Sequence, residues 1–298
     1  MREDCYNFAM GKTLFCLAVA GLGLISPLRA QTAPERQAPT ERKQETVEVK
    51  TSDGWTLYAD YLAPEKDAPT VILFHGLGSS RGEWSVLEAT IAAKGGGYLA
   101  VDMRCHGEST KNPGGSQVPG WQSCQVSDDD VAGAWAYLLE AKALPEKIFI
   151  AGASVGSSLA LNAAAERKAA PAGVILLSPG LDFRGIKTDE SVAKLGKARL
   201  LMGAAKADQY SFDSMAALDK LAAKAGKKAV TVTAAAGHGV SMFSNDNPDA
   251  GKVVSAIADF VFPKVKQTPA PKKPAAAKQA APVKKIEKAG TAKTGSKK

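Results

Sequence analysis

The chain has 298 residues, of which 45% are apolar and 23% charged, a globular composition that excludes a wholly disordered or collagen-like chain. Its formal charge of +8 would suit a nucleic-acid binder if it were spread over the body. It is not: residues 264–298 hold eleven lysines against the single acid Glu287, a net +10, so everything before them sums to −2. The basicity belongs to a tail.

In chain order, the first signal is Lys12 followed by sixteen uncharged residues, 13–28, and then the polar Arg29-Ala30-Gln31. A basic start, an apolar run of this length and a small residue at 30 predict a signal peptide over 1–30 and export to the periplasm or medium. An uncleaved membrane anchor is the alternative, although the run is short for a span. Removing the leader takes Cys5 and Cys16 with it and leaves Cys105 and Cys124, a pair compatible with a disulfide in an oxidising compartment or with two unrelated thiols.

Residues 31–43 read as a linker, with Pro34 and Pro39. Alternating residues at 46–50 and 55–61 flank Ser52-Asp53-Gly54, a hairpin pattern. Short apolar runs at 70–74, 98–101, 147–151, 173–177, 198–202 and 229–233 predict strands buried on both faces. Helices are expected at 84–94, 128–140, 155–167, 211–225 and 249–261, with Asp128-Asp129-Asp130 placed where a helix N-terminus favours negative charge. This alternation predicts a mostly parallel α/β sheet covered by helices on both faces, in one domain over 44–263. Gly95-Gly96-Gly97 follows a helix and precedes a strand, the wrong order for a phosphate loop, and reads as a helix C-cap and turn. The Lys-, Pro- and Ala-rich stretch 264–298 has almost no core-forming residues and is expected to be disordered.

Gly152-Ala153-Ser154-Val155-Gly156 falls between a predicted strand and a predicted helix, the context in which G-x-S-x-G exposes a nucleophilic serine. Phe74-His75-Gly76-Leu77 ends an earlier strand, and the main-chain N–H groups of Leu77 and Val155 are the natural pair of donors for an oxyanion. The chain has three histidines. His75 and His106 read as structural, and His238, flanked by Gly237 and Gly239, is the expected general base. The acid should lie between serine and histidine in chain order. Asp208 fits best, with Asp182 and Asp213 as competitors. Three scattered histidines without a His-Glu-x-x-His spacing give no support to a metal site, and no cofactor is called for.

These residues resemble the α/β-hydrolase superfamily, particularly its small bacterial serine esterase and serine-peptidase-like branches. The resemblance rests on His75-Gly76, Asp102-x-Arg104-x-His106-Gly107-x-Ser109, Gly152-x-Ser154-x-Gly156, Asp208 and His238. It implies a mainly parallel eight-stranded sheet and a hydrolytic triad of Ser154, Asp208 and His238. Cys105 departs from the pattern, which usually has glycine there, and the segment 179–197 is too short for a large cap, so a minimal lid is expected. The expected activity is that of an exported serine hydrolase cleaving an ester of a small molecule. The alternatives are a peptidase or amidase with the same triad, or a non-catalytic envelope-binding protein on this fold. The tail could tether the chain to an anionic envelope surface, whereas export makes nucleic acid an improbable cellular partner.

Overall fold

The computed structural model describes residues 42–244 and 246–264. The expected leader (1–30), nearly all of the linker, and the tail beyond Lys264 lie outside the described residues. Arg42, read as linker, is bound to the domain: its guanidinium donates to the carbonyl oxygens of Ala63, Ala92 and Gly96.

Among the described residues ten strands and six helices follow one another along the chain. β1 (Glu45–Lys50) and β2 (Thr56–Leu62) form the hairpin around Ser52-Asp53-Gly54. β3 (Thr70–Phe74), β4 (Gly97–Val101), β5 (Ile148–Ala153), β6 (Gly173–Leu177), β9 (Arg199–Ala205) and β10 (Val230–Ala234) complete one sheet in the order β1-β2-β4-β3-β5-β6-β9-β10. β1 and β2 pair antiparallel with each other, β2 pairs antiparallel with β4, and every other pairing is parallel. The eight-stranded, mainly parallel sheet expected from the sequence is therefore present.

Helices α1 (Ser85–Ala93) and α6 (Ala250–Val261) cover one face; α2 (Asp128–Glu140), α3 (Val155–Glu166) and α5 (Gln209–Lys224) cover the other. Strand β3 shows why its residues are apolar without a break. Val71 and Leu73 point to the α1/α6 core, Ile72 and Phe74 to the α2/α3/α5 core, and all four are fully buried. Such a strand has no solvent face to mark with a polar residue. Gly95 adopts φ 78° and caps α1, with its N–H and that of Gly96 returning to Ala92 and Ile91 carbonyls, which is the C-cap geometry.

One segment was not expected. Between β6 and β9 the chain makes a small hairpin, β7 (Asp182–Phe183) with β8 (Ile186–Lys187), and then a one-turn helix, α4 (Ser191–Lys194). No larger cap is inserted there. Among the described residues no helix is long and apolar enough to cross a membrane.

Candidate active site

Parallel strands bring their carboxyl ends to one edge of the sheet, and ligands of such sheets gather there. Pairing in register sets Phe74 against Gly152, and Ala153 against Leu177, so the loops after β3, β5 and β6 meet. Ser154 is the link between β5 and α3. It has φ 54° and ψ −121°, a conformation that costs a non-glycine residue on the order of 1–3 kcal/mol and persists only when its surroundings impose it. They do: a Cβ on Gly152 would lie 2.0 Å from the Gly156 oxygen, and one on Gly156 would lie 2.4 Å from the Phe74 oxygen. Two glycines let three backbone segments touch, and the hydroxyl-bearing carbon is forced out at the tip.

His238 stands after β10, and its Nδ1 lies 2.7 Å from Oδ2 of Asp208. Asp208 follows β9 at the N-terminus of α5, where the positive end of a helix welcomes a carboxylate. Burial pushes the Asp208 carboxyl up, but the Ser211 hydroxyl, His238 and the Ser178 hydroxyl outweigh it and hold the group below its usual range. The two competing acids are engaged elsewhere. Asp182 accepts from the Gly185 N–H within its own hairpin at 2.7 Å, and Asp213 accepts from the Gln209 amide on α5 at 2.9 Å.

Ser154 and His238 line one cavity of about 250 Å³, together with Gly76, Leu77, Glu83 and Phe183. No direct hydrogen bond joins serine and imidazole, a looseness common before substrate binds. A larger cavity, of about 780 Å³, lies between α2 and the end of α3, is lined by charged groups such as Asp128 and Glu166, and contains none of the candidate catalytic residues.

Among the described residues neither the Leu77 N–H nor the Val155 N–H has a hydrogen-bond acceptor, whereas their neighbours do. Gly76 N–H donates to Glu83 Oε1 at 3.0 Å, Gly78 N–H to His106 Nε2 at 3.0 Å, and Ser79 N–H to the Gly76 oxygen at 3.1 Å. Unspent donors beside a projecting hydroxyl are what stabilisation of an oxyanion requires.

His75 and His106 explain their motifs. Each accepts a backbone N–H at Nε2, from Met103 and Gly78 respectively, and each turns Nδ1 to a carbonyl oxygen, of Gly76 and Arg104. That pairing fixes the neutral Nδ1–H tautomer in both. Burial drives His75 down to about 3 and lowers His106. They are main-chain clamps rather than bases. Asp102 clamps the same region by accepting from the Arg81 and Glu108 N–H groups and from the Arg81 guanidinium. Gly107 is obligatory beside it, since a Cβ there would fall 2.0 Å from the carboxylate. Arg104 ties Asp53 and the fully buried Asp130 together. Asp130 is thus an ion-pair partner as well as a helix N-terminal acid. Cys105 and Cys124 are joined in a disulfide, with Cα atoms 6.2 Å apart.

Two residues of this site carry no motif. Ser178, fully buried after β6 with φ 49°, accepts the Gly239 N–H at 2.8 Å and so positions the His238 loop. Glu83 lies in the 3-10 turn Arg81–Trp84 that precedes α1, faces the cavity, and is raised by burial against the pull of Ser79, Gly76 and His238. Both act on backbone N–H groups, Ser178 on one 61 residues away and Glu83 on one seven residues before it, and neither contact follows a spacing that a motif would mark.

Comparison with known proteins bears on the fold and the family. A family model described as serine aminopeptidase, S33, matches residues 65–207, a stretch that includes Ser154 and stops just before Asp208. Protein phosphatase methylesterase 1 of Schizosaccharomyces pombe is 29% identical over 99 residues, 32% of this chain and 28% of that protein. The match therefore spans well under half of that relative. A thermostable carboxyl esterase from Bacillus coagulans superposes with a TM-score of 0.59 at 15% identity, covering 74% of this chain and 98% of the other. The Pyrococcus horikoshii acylaminoacyl peptidase gives 0.56 at 17% identity, covering 76% and 42%. At such identities the solved structures speak for the fold.

Proposed function

We propose that this chain, a member of the α/β-hydrolase superfamily, is a serine hydrolase that cleaves carboxylic esters through an acyl-enzyme on Ser154. The observation that carries the reading is the meeting at one cavity of a serine held at positive φ, a histidine bonded to a carboxylate and the unengaged main-chain donor of Leu77, with the second such donor, Val155, next to the serine in the chain. Oγ of Ser154 attacks the ester carbonyl while its proton passes to Nε2 of His238. Asp208 holds the Nδ1–H and stabilises the imidazolium as it forms. The carbonyl oxygen, now anionic, sits between the N–H groups of Leu77 and Val155. Collapse breaks the bond to the alcohol oxygen, which takes the proton from His238. Water then repeats the sequence on the acyl-enzyme, releasing the acid and restoring Ser154.

A peptidase reading keeps two supports, the description of the matching family model and the Glu83 carboxylate in the cavity, where a substrate ammonium could be received. Turnover of graded p-nitrophenyl esters beside aminoacyl p-nitroanilides separates the two. Fluorophosphonate labelling that depends on Ser154 separates both from a non-catalytic binding protein. Ser154→Ala and His238→Ala should each lower kcat/KM by roughly three orders of magnitude or more, and Asp208→Asn by well over tenfold. Full activity in Asp208→Asn would refute the acid assignment.

We also propose export, supported by the uncharged run after Lys12 and by the disulfide, which persists in oxidising compartments. N-terminal sequencing of periplasmic material should begin near Gln31. The lysine tail is proposed as an electrostatic tether. Truncation after Pro263 should keep turnover while abolishing salt-sensitive binding to anionic vesicles.

A further inference from the structure

Beside the cavity that holds Ser154 and His238 lies a second one, of about 430 Å³, within the size range of small-ligand pockets. Leu77 borders both, and the second cavity also contains Val155, so the two proposed oxyanion donors stand at the junction. This places substrate. The imidazolium of His238 must hand its proton to the departing atom, so the leaving group lies over the His238 cavity. The acyl group extends the other way, past Leu77 and Val155, into the second cavity.

The chemistry of the two cavities differs in sign. The His238 side carries the Glu83 carboxylate. The second cavity has an apolar floor, with Val126 and Ile186 beside Leu77 and Val155, and three polar side chains at its walls, Gln122, Gln125 and Arg184. No carboxylate lines it. Arg184 occupies the tip of the β7–β8 hairpin at φ 55°. Among the described residues its guanidinium meets no acid within ion-pair distance and stacks instead over the Trp121 ring, 5.8 Å from the centroid. The Asp182 carboxylate on the same hairpin is turned to the Gly185 N–H. Trp121 in turn packs on Gly78 of the oxyanion loop and lies parallel to the His106 ring. The cation is thus propped at the cavity by a column of rings that starts at the catalytic loop, with its donor edge unspent.

We infer that the second cavity is the acyl subsite and that Arg184 makes it selective for acyl groups ending in a carboxylate, with Gln122 and Gln125 as further donors. This deepens the proposed serine-hydrolase reading and rests on it. Planar guanidinium and carboxylate match in a two-pronged hydrogen bond, and Glu83 repels the same anion from the leaving-group side. A half-ester of a dicarboxylic acid would accordingly bind in one direction.

The test compares mono-p-nitrophenyl adipate with p-nitrophenyl hexanoate, esters with the same six-carbon acyl chain. The purified full chain should prefer adipate in kcat/KM by about tenfold or more at low salt, and the preference should shrink as salt rises. Arg184→Gln should lower the adipate-to-hexanoate ratio about tenfold, mostly through KM, and Arg184→Lys should recover part of it. Lys187→Gln removes an equal charge from the same hairpin outside the cavity and should leave the ratio as it is. A hexanoate preference in the wild type, or a ratio indifferent to Arg184→Gln, overturns the subsite while leaving the hydrolase reading intact. If neither ester is cleaved and fluorophosphonate does not label Ser154, the hydrolase reading fails and the subsite with it.

Discussion

Reducing the Cys105–Cys124 disulfide should lower thermal stability by an amount that can be worked from the chain. The two cysteines are 19 positions apart, and closing a loop of about twenty residues removes roughly 3 kcal/mol of unfolded-state entropy at 25 °C. In a domain of this size each kcal/mol moves Tm by about 2–4 °C, so the expected drop is about 6–12 °C. The segment has little regular structure, although His106 and Glu108 anchor its start to Gly78 and Asp102. Between the cysteines it has the isolated bridge of Lys111 with Gln117 and one short 3-10 turn, Trp121–Ser123. The cleanest comparison is the oxidised against the reduced wild type by calorimetry, because both carry the same side chains. Cys105→Ala alone would add a cavity term, since Cys105 is buried in the α2/α3/α5 core. Turnover should fall as well, because Cys124 lines the second cavity and the loop carries Trp121 against Gly78. Oxidised and reduced forms that melt within 2 °C of each other would refute the reasoning, as it would mean the loop is held in place without the bond.

Gly152→Ala should abolish turnover and lower Tm by many degrees, since the new methyl would overlap the Gly156 carbonyl; soluble, active protein would show that the elbow can relax. Glu83→Ala should cut kcat/KM by about tenfold by releasing the Gly76 N–H, while Glu83→Gln, which keeps an acceptor there, should recover most of it. Glu88 is pushed up to about 7, chiefly by burial and then by Asp60, and its Oε1 has no partner. An acid raised in the folded state is stabilising below its unfolded value of about 4.3 and loses that contribution as pH climbs toward 7. Glu88→Gln should therefore gain on the wild type in Tm at pH 8 and show little gain at pH 4.5; an equal gain at both would remove ionisation as the cause.

Much of the architecture could be read before any coordinates because central parallel strands advertise themselves. Gly173–Leu177 is buried at every position and has no polar residue to interrupt the run. The turn at Ser154 was equally legible, since Gly152 and Gly156 answer a steric demand that no other residue meets. The β7–β8 hairpin was not. Its strands are two residues each, too short for any alternation, and Arg184 adopts positive φ without being glycine. Helix α5 begins two residues earlier than its apolar pattern, because Asp208 ends the preceding turn by donating its N–H to Ala205. Chain order and position along the predicted elements left Asp208, Asp182 and Asp213 as candidates for the acid; only folding shows that the Asp182 and Asp213 carboxylates are held by Gly185 and Gln209.

Leu77 serves the proposed chemistry through its main chain and borders both cavities. A peptide N–H is present whatever residue is encoded, proline excepted. Codon changes at position 77 can therefore remodel the passage between the two cavities while the anion donor is inherited intact. The consequence is a lineage in which substrate range drifts through single substitutions that never pass through an inactive ancestor. A small saturation library at Leu77, scored on esters of graded acyl size, would display that drift directly: many active variants with divergent preferences, and a dead one at proline.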